Sequence, residues 1–156
     1  MKPASPTQLQ KELALLEKKQ VVELCVRLAK YKKDNKELLS YLLFEAADEK
    51  KFISNVKKEI DELFDIMNTN TMYFIRKSVR KVLRTANKYI KYSGLPLTEI
   101  ELRIYFCNRL KASGIPIHKS DTLINLYTGQ VEKIKKVLGK LHEDIQFDYS
   151  KEVEAL

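Results

Sequence analysis

The sequence predicts an all-α protein, a single domain over residues 1–156 of about seven helices, arranged as a compact bundle or a short stack of antiparallel helical hairpins. Three observations carry this. Apolar residues recur at helical spacing through nearly the whole chain, cap and stop residues separate the periodic segments, and no segment alternates with period two or holds an Asn-Gly or Asp-Gly turn. A length of 156 residues with 44% hydrophobic and 32% charged side chains is enough for one core without disulfide or metal staples.

Taken in order, Ser5-Pro6-Thr7-Gln8 reads as a capping box with Pro at the first helical position, and Leu9, Leu13 and Leu16 share the face that follows. Extending that helix would swing Val21, Val22 and Cys25 off the face. A break near Glu17 to Gln20 is therefore predicted, with a second helix to about Lys33. Asp34, with Glu37 three residues on, is placed as the cap of a third helix whose apolar side is Leu38, Leu39, Leu42, Leu43 and Ala46. Asp48 caps a fourth, where Phe52, Val56, Ile60, Leu63, Phe64 and Met67 face the core and Lys57/Asp61 and Lys58/Glu62 stand at i,i+4 on the other side. Asn68 to Thr71 form a turn-and-cap cluster.

The fifth helix, Met72 to Tyr92, organises the chain. Met72, Ile75, Val79, Val82, Leu83, Ala86, Tyr89 and Ile90 fall within roughly 120° of arc, and Arg76, Lys77, Arg80, Lys81, Arg84, Lys88 and Lys91 occupy the adjoining arc. Between Asp65 and Glu99 there are seven basic residues and no carboxylate, so this segment supplies nearly all of the net charge of +8. Ser93-Gly94 ends the helix and Pro96 prevents its continuation. Thr98 and Glu101 are spaced as a capping box for a sixth helix, apolar on almost every side from Ile100 to Leu110 and so expected at the centre of the core. Ser113-Gly114 with Pro116 ends it. Ser120 starts a seventh helix running to about His142, across Gly129 and Gly139, which are read as allowing a close crossing or a bend. Residues 143–156 are acidic, with Ile145, Phe147, Tyr149, Val153 and Leu156 interleaved; they are expected either to dock on the domain near the Arg84 to Lys91 end or to fray.

The block from Asn87 to Cys107, together with Leu38 to Ala46 and the basic helix, resembles small uncharacterised all-helical bacterial proteins. That resemblance implies the fold and transfers no activity or residue role.

Catalytic chemistry finds little support. His118 and His142 stand apart, no Glu-x-x-His or HExxH spacing is present, and no Gly-rich phosphate loop or nucleophile elbow occurs; no cofactor and no metal are expected. Cys25 and Cys107 lie in apolar runs and read as buried hydrophobes. The acids Glu59, Asp61, Glu62 and Asp65 read as a solvated face laced by lysines. No apolar leader core or membrane-length stretch is found, which places the chain in the cytoplasm with no membrane partner.

The expected role is non-enzymatic: a helical interaction domain for an unidentified protein partner, with nucleic-acid or polyanion binding as the alternative. The residues for the latter are Tyr73, Arg76, Arg80, Arg84, Lys88 and Lys91, joined by Lys50 and Lys51 if the fourth and fifth helices form a hairpin. In that hairpin Asp61, Glu62 and Asp65 would oppose Tyr73, Arg76 and Lys77. The strongest positive potential would then lie at the open end, where Arg84, Lys88 and Lys91 come near Lys50 and Lys51.

Overall fold

The computed structural model describes all residues, Met1–Leu156, and is all-helical: α1 (Pro6–Ala14), α2 (Lys18–Tyr31), α3 (Lys33–Ser40), α4 (Glu49–Asp65), α5 (Met72–Ser93), α6 (Pro96–Ala112), α7 (Asp121–Leu138) and α8 (Glu143–Glu154). A π-helical turn, Tyr41–Glu45, follows α3, and a 3-10 turn, Ile117–Lys119, precedes α7. The chain divides into two compact units, Met1–Phe44 and Glu45–Leu156. No helix is long and apolar enough to cross a membrane.

In the first unit, Ser5 accepts from the Gln8 amide while Gln8 accepts from the Ser5 amide, so the predicted capping box forms. Glu17 and Gln20 cap α2 where the phase break was placed. The third helix starts earlier than Asp34: Lys32 is its N-cap and Asp34 lies inside its first turn. Asn35 instead donates its amide to the Leu28 carbonyl at 2.9 Å, satisfying an orphan acceptor near the end of α2. The main packed pair in this unit is α2 with α3, and its one buried residue is Tyr41. Forty-four residues enclose too little volume to bury a row of leucines.

The second unit is built around α6. Eight of its residues are buried, among them Ile100, Leu102, Phe106, Cys107 and Leu110, and α4, α5 and α7 all pack against it. The central position predicted for this helix is what the structure shows. Asp48 caps α4 by accepting from the Lys51 amide, and Thr71 caps α5 by accepting from the Phe74 amide. Phe52, Val56, Ile60 and Phe64 of α4 and Ile75, Val79, Val82, Ala86 and Ile90 of α5 form the apolar faces turned inward. Gly94, at φ 66°, ends α5 in the left-handed conformation that only glycine adopts cheaply.

Polar clasps fix the order of the helices. Lys57–Glu101, Asp61–Tyr105 and Asp65–Arg109 keep a constant offset of 44 residues, so α4 and α6 run parallel. Tyr89 donates to Glu59 and Ser93 donates to Glu49, pairings that run in opposite directions along α4 and α5 and make those two antiparallel. Thr98 is not a cap. Leu95 holds that position with Pro96 at the first helical site, and the buried Thr98 hydroxyl donates to Glu49.

Two further differences follow from packing. The seventh helix stops at Leu138 with Gly139 as its C-cap, and Gly129 within it has open space where a Cβ would stand, so no close crossing requires it. Residues 143–154 form a separate helix, α8. Its docking is real but lies elsewhere than expected: Val153 is buried, Tyr149 donates to Glu101, Lys111 donates to the Ala155 carbonyl and Tyr127 to that of Leu156. The end of the chain packs on α6 and α7, and its carboxylates form no ion pair with Arg84, Lys88 or Lys91.

Candidate polyanion-binding site

Four consecutive turns of α5 project cations at helical spacing, and the structure gathers the first of them into a groove. It encloses about 840 Å³ and is lined by Tyr73, Arg76, Lys77, Arg80, Leu83, Arg84 and Asn87 of α5 and Thr122 from the first turn of α7. Arg76, Arg80 and Arg84 stand at i, i+4 and i+8, about 6 Å apart along the axis. Arg80, Arg84 and Lys77 are exposed and Arg76 is half-buried. None of the four makes an ion pair or a side-chain hydrogen bond. Tyr73 is exposed at one end, its ring edge-on to Phe74 at 5.4 Å.

The reason these cations stay unpaired lies on α6. Asp61 and Asp65, anticipated opposite Arg76 and Lys77, are taken by Arg109, which donates from Nε to Asp61 at 2.9 Å and from Nη2 to Asp65; Tyr105 adds a second donor to Asp61 at 2.6 Å. Glu59 accepts from Tyr89. Three of the four acids read as a solvated face are thus tertiary clasps. Lys57, placed beside Asp61 by sequence spacing, reaches Glu101 at 3.0 Å instead.

The remaining candidates do not join the groove. Lys88 stacks over the Tyr89 ring at 4.5 Å, Lys91 is exposed beyond it, and Lys50 and Lys51 stand exposed in the first turn of α4. The concave basic surface therefore runs from Tyr73 to Asn87 of α5, and of the cations expected at the open end of the hairpin only Arg84 lines it.

Beneath the groove is a residue the sequence reading did not single out. Arg103 of α6 is only 7% exposed; its Nε and Nη2 donate to Glu99 at 2.8 Å, and its Nη1 donates to Asn87 at 3.0 Å and to the buried Gln130 of α7. Asn87, a lining residue, is thereby fixed by a buried guanidinium. The clue available in the sequence was a charged residue in the middle of a helix apolar on all sides.

Other reactive groups are muted or dispersed. Cys107 is fully buried, and burial pushes its thiol up to about 12 against the pull of Arg103 and Lys111, so it stays protonated and unreactive near neutrality. Cys25, expected to be buried, is exposed because the first unit is too thin to cover it. His118 sits in the 3-10 turn and His142 caps α8 by accepting from the Asp144 amide. No three His, Cys, Asp or Glu side chains converge as a metal ligand set. No protein-family model, curated protein or solved structure shows a significant match to this chain.

Proposed function

We propose that the protein is a non-enzymatic helical binding domain and that the α5 groove receives a phosphate-bearing polymer, a nucleic-acid strand. One observation carries the reading: Arg76, Lys77, Arg80 and Arg84 line a single concave surface without a carboxylate partner among them. Unpaired guanidinium groups at a regular axial spacing match a ligand that repeats its negative charge, and Arg forms bidentate bonds with phosphate oxygens. Tyr73, exposed at the end of the row, offers a ring on which an unpaired base can stack.

The test is fluorescence anisotropy with a labelled single-stranded oligonucleotide at low salt, using wild type and Tyr73→Ala. Binding that weakens by about 1–3 kcal/mol on loss of the ring supports stacking on a strand. Binding of heparin and of an acidic peptide as tightly as the oligonucleotide, with no effect of Tyr73→Ala, reassigns the groove to an acidic protein partner. No retention of any polyanion removes the proposal.

A further inference from the structure

The first unit holds both a groove and a helix suited to fill it, and within one chain they are not packed together. Cys25, Leu28 and Ala29 of α2 with Leu38 and Leu39 of α3, and Leu42 just beyond, line an apolar groove of about 290 Å³. On α1 the stripe Leu9 and Leu13, continued by Leu16 just past its end, is exposed throughout, and no residue of α1 is buried. An exposed run of this length is costly in water unless another surface covers it.

The link explains why α1 does not close the groove itself. Only Leu15 to Glu17 separate α1 from α2. The nine residues of α1 span about 13 Å. Folded back antiparallel, they would lie along about the first two thirds of α2, short of the Leu28 to Leu42 portion of the groove.

We infer that the first unit is a self-association module in which α1 of one copy lies in the α2/α3 groove of a second copy, and the second copy returns the same contact. Three features select this occupant. The exchange is two-fold symmetric and closes, so every unpartnered leucine of α1 finds a groove and none is left to propagate. Each half-exposed leucine adds roughly 60–100 Å² of apolar surface. Leu9, Leu13 and Leu16 of each copy, with Leu28, Leu38 and Leu42 of the groove they enter, make twelve leucines over the two reciprocal contacts, which bury about 700–1,200 Å² and so reach the lower bound of a stable interface. Charge agrees as well: residues 1–44 carry nine basic and five acidic side chains, yet α1 itself holds Lys11 and Glu12 and is neutral. The segment that crosses to the other copy brings no added repulsion.

Sedimentation velocity of the full chain across a concentration series, with Leu9→Asp/Leu13→Asp alongside, reads the association. The expected result is a species of twice 18.2 kDa that the double variant abolishes. Circular dichroism should be unchanged, because both positions are exposed in the single chain. A second measurement identifies the contact: Leu13→Cys, oxidised mildly, should give a disulfide-linked dimer through native Cys25, lost in Leu13→Cys/Cys25→Ser. A wild type that is monomeric at every concentration, a dimer indifferent to Leu9→Asp/Leu13→Asp, or a Leu13→Cys disulfide closed within one chain overturns the inference.

Discussion

Arg103 of α6 donates to the side-chain oxygen of Gln130 on α7, a fully interior hydrogen bond at the point where the two helices cross behind the basic groove. The same guanidinium reaches Asn87 and Glu99, so one buried charge holds α5, α6 and α7 in register. Replacing Gln130 with Leu leaves part of that guanidinium without an acceptor, and should destabilise by about 1–3 kcal/mol. Chemical denaturation checks this: the midpoint should fall while the slope stays constant. Asn87→Ala should cost less, because Asn87 is half-buried and water can replace it.

Two glycine substitutions should act with opposite sign. Gly129 lies inside α7 with open space at its Cβ position and ordinary helical backbone, so Gly129→Ala should stabilise by about 0.5–1 kcal/mol. Gly94 has a φ of 66°, and Gly94→Ala should cost about 1–2 kcal/mol through backbone strain alone, although nothing stands near its Cβ. Thermal melts of the two variants decide it.

Tyr105 gives an alkaline signature. Burial, then its hydrogen bond to Asp61 and that carboxylate's charge, push the phenol from 10.0 up to about 12, with Arg109 pulling the other way. A raised value means the folded protein favours the neutral phenol. The stability this contributes is fully present below pH 10 and is lost as pH climbs through about 12. Tyr105→Phe, which lacks the bond to Asp61, should therefore be less stable than wild type at neutral pH, and the gap should close between pH 10 and 12. A gap that stays constant across that window would show that Tyr105 ionises freely in the fold.

The docking of α8 gives a stability test. Val153 is buried against the rest of its unit while Phe147, on the same helix, is 77% exposed. Val153→Ala should lower stability by about 1–2 kcal/mol, whereas Phe147→Ala should fall within about 0.5 kcal/mol of wild type. Equal effects, read by urea denaturation, would contradict the docking described.

What was legible in the sequence was what neighbours along the chain decide. Ser5, Asp48, Thr71 and Gly94 mark helix ends through bonds to residues within four positions, and the structure keeps them. The all-round apolar character of Ile100 to Leu110 likewise announced the central helix. Pairings across helices were not legible. Asp61 has Lys57 four residues away, yet it is claimed by Arg109, 48 residues on, because parallel packing of α4 and α6 brings them together. That choice leaves Arg76 and Lys77 unpaired beside Arg80 and Arg84, while Lys91 at the open end stays exposed. The boundary after Phe44 also left no mark, since the π-helical turn there contains neither Gly nor Pro.

The central claim is that the unpaired cations of α5 meet phosphates, and the dependence of oligonucleotide affinity on salt tests it most directly. Four contacts, from Arg76, Lys77, Arg80 and Arg84, should give a slope of log K against log salt of about −2.8 on a single strand, at about 0.7 per phosphate. The variant Arg76→Ala/Arg80→Ala/Arg84→Ala should flatten that slope by about 2, while Lys50→Ala/Lys51→Ala, outside the groove, should leave it nearly unchanged. A slope that the triple variant leaves intact, or that falls equally with the Lys50 and Lys51 pair, would contradict the assignment of the groove.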